Sequence, residues 1–172
     1  MDTLNSSTHR LRFESFNENH RTFLKQLFCS NERVMSTALS GKLLDQYEFE
    51  VLIKERFNHT SQEQFGFLTI KEKVSDELIG VTGIFECDYL DQKGIEFGFI
   101  LDQKSWGKGY ATEIGSFWID YILNYYPDHD ILATTKPDNL ASKKVLEKLN
   151  LIFVKNIKIN NRGMRSIYHY NV

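Results

Sequence analysis

The stretch from Trp106 to Glu113 reads WGKGYATE, with glycines on both sides of Lys108 and a helix-like run directly after them. The first amides of a helix have no partner within it. Glycine at 107 and 109 permits positive φ and leaves the main chain uncovered, so an anionic group can come close. A helix dipole and a concave nest of N–H groups favour such an anion, and Lys108 adds positive charge beside it. The chemistry expected of Trp106, Gly107, Lys108, Gly109, Tyr110, Ala111 and Thr112 is therefore the gripping of a phosphate or diphosphate. From glycine spacing alone, a ligand-free glycine-rich helix start remains the alternative. A Walker-type loop needs Ser or Thr directly after its lysine, and Gly109 stands there. A dinucleotide fingerprint needs a third glycine where Thr112 stands and an acidic residue closing the next strand, but that strand, ILATT, ends in threonines.

A second candidate group is Asn139 and Ser142, three residues apart and hence on one helical face. Asn139 also suits an N-cap after Pro137 and Asp138. Cys29 and Cys87 have no metal-ligand spacing with His20, His59 or His169, so no metal site is expected. Cys87 in IFECDY has no histidine near it in sequence, which argues against an acyl-enzyme route. His169 in YHY reads as ordinary strand chemistry.

These residues need elements to hold them. Leu11 to Phe16 alternates as a half-buried strand, and Asn17 can cap a helix carrying Phe23, Leu24, Leu27 and Phe28. Asp45 and Glu48 form a capping-box pattern before Phe49, Leu52, Ile53 and Phe57. FGFLTIKEK, LIGVTGIFECD and IEFGFIL, separated by polar turns VSDE and LDQKG, read as an antiparallel meander. After the glycine segment come a helix through about Tyr125, strand DILATT, helix NLASKKVLEKL, strand IFVKNIKI and a last strand ending SIYHYNV. The expected order is βααβββαβαββ in a single α/β (α+β) domain over residues 1–172, a length that builds one core. The 21 basic and 23 acidic residues give a net charge of −2, which argues against nucleic acid or anionic lipid as a general partner. MDTLNSSTHR has no signal pattern and no apolar run reaches the ~18 residues of a membrane span, so a soluble cytoplasmic protein is expected.

Nearly the whole chain resembles the GNAT N-acetyltransferases, in particular the RimJ/RimL branch of ribosomal-protein N-terminal acetyltransferases. The family's acetyl-CoA loop, Arg or Gln, two residues, Gly, one residue, Gly or Ala, falls on Trp106, Gly109 and Ala111. Tryptophan in the first place resembles the RimJ/RimL form. NLASKKVLEKLNLIF, from Asn139 to Phe153, is similar to the branch's second block, with Asn150 where a glycine is usual; Asn also tolerates the left-handed conformation of a helix C-terminus. The resemblance implies a central mixed, mostly antiparallel and partly splayed sheet flanked by about four helices. It also implies acetyl-CoA as co-substrate, no metal, and direct attack of an amine on the thioester. It places Phe99, Ile100 and Leu101 against the acetyl-pantetheine arm, with the Phe99 N–H facing the acetyl carbonyl, and adds Asn139 and Ser142 to the cofactor contacts. Glu96, in EFGF, becomes the candidate general base, acting through water, with a structural ion pair as its competing reading; alternation sets it on the face opposite Phe97 and Phe99. No tyrosine lies on the later helix to protonate the thiolate, so Ser142 is the named substitute. The acceptor is an amine, a protein N-terminus by default and a small molecule (polyamine, amino acid or aminoglycoside) as the alternative, with a non-catalytic acyl-CoA-binding module as a further reading. The acceptor would be chosen by residues from roughly Asn17 to Gln64, where Glu18, Glu32, Asp45, Glu48, Glu50 and Glu55, with Glu14 just before them, stand among basic residues. A carboxylate cluster there would suit a cationic amine. Homodimers occur in this branch.

Overall fold

The computed structural model describes residues 6–57, 65–90 and 93–171. His59, the turn residues Asp91 and Gln92, and the stretch through Gln64 lie outside the described residues.

Alternation from Leu11 produces β1 (Leu11–Glu14), with Leu11 and Phe13 buried. Asn17 then caps a 3-10 turn (Glu18–His20) that leads into α1 (Arg21–Cys29). A one-turn helix, α2 (Glu32–Met35), follows, capped by Asn31. Four residues are too few to show a period, so it is absent from the expected order, which becomes βαααβββαβαββ. Helix α3 (Gln46–Arg56) starts at the capping box of Asp45 and Glu48, with both reciprocal hydrogen bonds present. The meander is β2 (Gly66–Glu72), β3 (Leu78–Cys87) and β4 (Gly94–Leu101), and α4 (Tyr110–Tyr125), β5 (Asp130–Thr135), α5 (Leu140–Lys148), β6 (Leu151–Ile159) and β7 (Gly163–Tyr170) complete the chain. Asn150 takes φ 62° in the turn after α5, the left-handed role expected of it.

Among the described residues the strands form one sheet in the order β1-β2-β3-β4-β5-β7-β6. Only β4 and β5 run parallel. One face packs Phe13, Leu68, Ile84, Ile95 and Phe97 against Ile114, Trp118 and Ile122 of α4 and Leu146 of α5. The other packs Phe67, Val81 and Ile100 against Leu24, Phe28, Phe49 and Ile53 of α1 and α3. Each such side chain contributes about 1.5–3 kcal/mol by leaving water. The buried Trp118 indole donates to Thr82 Oγ1 (2.7 Å), which donates to the Gly98 carbonyl (2.7 Å), tying α4 to β3 and β4.

The sheet forks at one place. The β4–β5 register runs only over Gly94↔Asp130, Ile95↔Ile131 and Glu96↔Leu132. Beyond it β4 continues to Leu101 paired with β3 alone, while Leu132 to Thr135 of β5 pair with β7. From the Phe97 carbonyl to Leu101, β4 therefore keeps one main-chain edge unpaired by β5.

Candidate active site

The glycine segment forms a left-handed turn in front of α4. Gly107 has φ 75° and Gly109, the N-cap of α4, has φ 80°, where an L-residue with a Cβ is strained. Among the described residues the N–H groups of Gly107, Lys108, Gly109, Tyr110, Ala111 and Thr112 have no hydrogen-bond acceptor; the first internal bond is Glu113 N–H to the Gly109 carbonyl at 3.2 Å. A Cβ built on Gly107 would meet nothing within 4 Å, so the approach to this row of donors is open. Lys108 is exposed beside it.

Trp106 does not extend the row. Its N–H donates to the Gln103 carbonyl (3.2 Å) and its indole to the Leu101 carbonyl (2.9 Å), while its ring stays 40% exposed with the Arg33 guanidinium 5.6 Å above it. Its contribution is to fasten the turn to the end of β4. The turn is fastened on its other side by Arg10, just before β1. Arg10 Nη1 donates to the Lys108 carbonyl (2.8 Å), its Nε and main-chain N–H donate to Glu113 (2.7 and 2.8 Å), and its guanidinium lies 4.6 Å over the Tyr110 ring. Thr8 Oγ1 also donates to Glu113. Burial pushes the Glu113 carboxyl up, but these donors outweigh it and hold it below the usual range. Because the Lys108 carbonyl faces Arg10, the trans peptide turns the Gly109 N–H the opposite way.

The same rule orients β4. The Gly98 carbonyl accepts from Thr82 of β3 and the Asp102 N–H donates to the Ile79 carbonyl of β3. Even-numbered residues thus turn their main chain to β3, and Phe97, Phe99 and Leu101 turn theirs to the fork. The Phe99 N–H lies on the open edge. Ile100, expected with its neighbours, turns its main chain to β3 and buries its side chain against α1 and α3. The Leu101 carbonyl is on the open side but is taken by Trp106.

On the α1–α3 face of β4 stand Glu96, Gly98 and Ile100. A Cβ on Gly98 would meet nothing within 4 Å, leaving free space between Glu96 and Ile100. Glu96 is only 6% exposed. Its Oε2 accepts from Arg162 Nη1 (2.8 Å) and the Tyr89 hydroxyl (2.8 Å), and its Oε1 from Arg162 Nη2 (2.9 Å) and Thr134 Oγ1 (2.6 Å). Burial pushes the carboxyl up, yet the Arg162 charge and the donors from Arg162, Thr134 and Tyr89 outweigh it and hold it below the ordinary glutamate range. Burial and the Glu96 charge push the Tyr89 hydroxyl well up. A general base needs a lone pair facing its proton donor and an affinity for that proton. Here both oxygens are engaged, in the arrangement of a structural ion pair.

Asn139 caps α5, its side chain accepting the Ser142 N–H at 3.1 Å, and the Ser142 hydroxyl has no partner among the described residues. Tyr110 and Tyr168 are buried, and His169 Nε2 lies 3.2 Å from Asp130. The Cys87 thiol is pushed up to about 12, by burial first and then by the Glu96 charge, which disfavours a nucleophilic thiolate. Among the described residues no cluster of His, Cys, Asp or Glu could hold a metal, and no helix is long and apolar enough to cross a membrane.

The model of the Acetyltransferase (GNAT) domain matches residues 10–152. The chain belongs to the GNAT acetyltransferase family. It is 27% identical to YkkB of Bacillus subtilis (strain 168) over 157 residues, 90% of this chain and 89% of YkkB. It is 33% identical to the probable N-acetyltransferase YjcK of the same organism over 111 residues, 62% of this chain and 60% of YjcK. The fold is shared with RimL, a ribosomal L7/L12 alpha-N-protein acetyltransferase solved with coenzyme A (TM-score 0.76, 15% identity, 97% of each chain). It is shared also with the Vibrio cholerae spermidine N-acetyltransferase solved with coenzyme A and spermine (TM-score 0.70, 19% identity, 93% of each chain). This GNAT chain is an acyltransferase, and the family's acyl donor is acetyl-CoA.

Sequence reasoning missed the residues that fasten the GNAT site, Arg10, Glu113, Tyr89, Thr134 and Arg162. Arg10 and Glu113 are 103 positions apart and Arg162 and Glu96 66 apart. No local spacing signals such pairs, although Glu113 in a helix first turn and the charge of Arg162 in a β6–β7 turn were visible as types.

Proposed function

We propose that this enzyme acetylates the α-amine of a protein N-terminus in the RimJ/RimL manner, by direct attack within a ternary complex with acetyl-CoA. The observation that carries the reading is the row of unpartnered N–H groups from Gly107 to Thr112 set beside the open edge of β4. Acetyl-CoA supplies the activated acetyl group. The turn, with Lys108, fits its diphosphate because donors and helix dipole converge there and no side chain covers Gly107. Phe99 offers its N–H to the developing oxyanion, and Leu101, with its carbonyl held by Trp106, ends the usable edge. Asn139 orders the first turn of α5, and the Ser142 hydroxyl passes a proton to the departing sulfur while taking one from water, so that it ends as the neutral hydroxyl. The amine forms the new C–N bond as the C–S bond breaks, and its surplus proton leaves through water. Glu96 acts as a positioning residue, holding Arg162 and Thr134 at the fork.

The likeness to RimL supports a protein α-amine. The likeness to the spermidine enzyme favours a small-molecule amine as the second reading. A panel of N-terminal peptides, amino acids, polyamines and aminoglycosides, read by mass gain of one acetyl group and by thiol release, decides between them. Acetyl-CoA is expected to raise Tm by binding the folded state. Absence of any shift at saturating acetyl-CoA would refute the assignment of the turn.

A further inference from the structure

The α1–α3 face next to the fork carries more positive than negative charge. Its buried carboxylate, Glu96, is engaged by Arg162. Arg165 of β7 is 2% exposed, yet it faces no carboxylate: Nη2 donates to the Leu39 carbonyl, Nε to the Arg162 carbonyl (3.1 Å), and Nη1 has no acceptor among the described residues. Lys136, at the end of β5, also meets a carbonyl, that of Ser36 (2.5 Å). Arg162 Nε is buried without a partner among the described residues. The charges acting on Arg165 are those of Arg162, Glu96 and Asp138, together with the Tyr89 hydroxyl. Glu96 is spent on Arg162, and Asp138 is exposed in the loop before α5. A buried guanidinium is ordinarily matched by an anion, and this one is joined through the Arg162 carbonyl to the residue that holds Glu96, two positions from Gly98. Burial and the neighbouring Arg162 lower its pKa to about 10, so it stays charged at neutral pH.

We infer that the acceptor amine carries a carboxylate, which Arg165 receives through its unpartnered N–H. This deepens the acetyltransferase reading and rests on it. The carboxylate belongs either to a free amino acid or to an acidic residue at or next to a peptide N-terminus, and it disfavours polyamines, which bring a second positive charge to a face already rich in them. A carboxylate cluster would suit a cationic amine, but among the described residues Glu18 and Glu50 pair with Arg21, and Asp45 and Glu48 cap α3.

The test uses the full chain with saturating acetyl-CoA and matched acceptors. Peptides differing only by Glu or Gln at the second residue form one arm, free amino acids and their amides the second, and spermidine the third. In at least one of the first two arms the acid is expected to exceed its amide in kcat/KM by about tenfold or more, the size of a hydrogen bond to a charged group. The arm that shows it identifies the source of the carboxylate. Arg165→Gln is expected to bring the acid-to-amide ratio toward one, mainly through KM, and Arg165→Lys to restore part of it. Should Arg165→Gln fail to fold, the wild-type ratios alone decide. Amides or spermidine used as well as acids, no acid used by a protein that binds acetyl-CoA, or discrimination that survives in Arg165→Gln would each overturn the inference. Loss of acetyl-CoA binding in the wild type would instead overturn the cofactor reading.

Discussion

Replacing Arg162 by Met strips the counter-ion from a carboxylate that is 6% exposed. Removing one partner of a buried pair costs about 3–5 kcal/mol. Protonation limits the cost: holding a glutamate neutral at pH 7 takes about 3.5 kcal/mol, at roughly 1.4 kcal/mol per pH unit above its ordinary value. The Arg162 side chain is 30% exposed, so water can reach the vacated space, and the expected loss at pH 7 is about 2–3.5 kcal/mol, a fall in Tm of roughly 4–14 °C. The pH dependence is the sharper signature. In the wild type the folded-state pKa of Glu96 is lowered, so its contribution is present above the unfolded value and fades as pH falls through the folded one. In Arg162→Met burial, the largest influence, is opposed only by the Thr134 and Tyr89 hydroxyls and raises the folded-state pKa. The folded protein then binds the extra proton between the two values, and stability falls as pH rises, by up to about 1.4 kcal/mol per unit. Urea denaturation of both proteins at pH 5, 6, 7 and 8 should show the variant's deficit growing with pH, and Glu96→Gln/Arg162→Met should remove that growth. A deficit below about 1 kcal/mol, or one that does not change with pH, would refute the account of a tightly held ion pair.

Glu96→Gln keeps the shape of the side chain and loses the charge; kcat/KM is expected to fall while its acidic limb stays at the same pH, and disappearance of that limb would restore Glu96 as the base. Gly109→Ala should cost about 1–2 kcal/mol for its left-handed φ and weaken acetyl-CoA binding through the Arg10 guanidinium 3.4 Å from the new methyl. Gly107→Ala should cost a similar ~1–2 kcal/mol for its φ of 75° and, although its methyl meets no protein atom, should also reduce the Tm shift given by acetyl-CoA. Gly98→Val fills the space on the acceptor face, so acceptor KM should rise at least tenfold with the acetyl-CoA shift unchanged; parallel losses would show the space to be shared.

Local chemistry was legible in the sequence. Asp45 and Glu48 are three apart and their capping box is present, Asn17 and Asn139 cap where their types suggest, and the meander strands begin and end within a residue or two of their polar turns. The facing of Glu96 followed from alternation. Its partner did not, because Arg162 arrives from a different hairpin and only the sheet order brings β7's neighbouring turn back to β4. Trp106 shows the same limit from another side. Its position in the loop motif was readable, but not that its N–H and indole serve Gln103 and Leu101, which depends on the 3-10 turn Gln103–Ser105. Helix α2 was illegible because one turn carries no periodicity.

The fork explains why one strand can serve two substrates. Odd residues of β4 point their side chains into the α4 core and their main chain into the gap; even residues do the reverse, main chain to β3 and side chains to the α1–α3 face. On the proposed reading the acyl donor and the acceptor are addressed by different halves of the same strand, by N–H groups on one side of the pleat and by the face of Glu96, Gly98 and Ile100 on the other. A continuous β4–β5 ladder would consume the first set. Parallel pairing is slightly weaker per residue than antiparallel pairing, and here only Gly94 to Glu96 engage in it while β5 is drawn toward β7 from Leu132 onward. Glu96 is the last paired residue, and its bonds to Thr134 and Arg162 span the separation directly after it. The ion pair thus stands where the ladder ends and ties β4 to β5 and the β6–β7 turn there, and on the proposed reading a carboxylate so placed acts on turnover through geometry rather than by taking a proton.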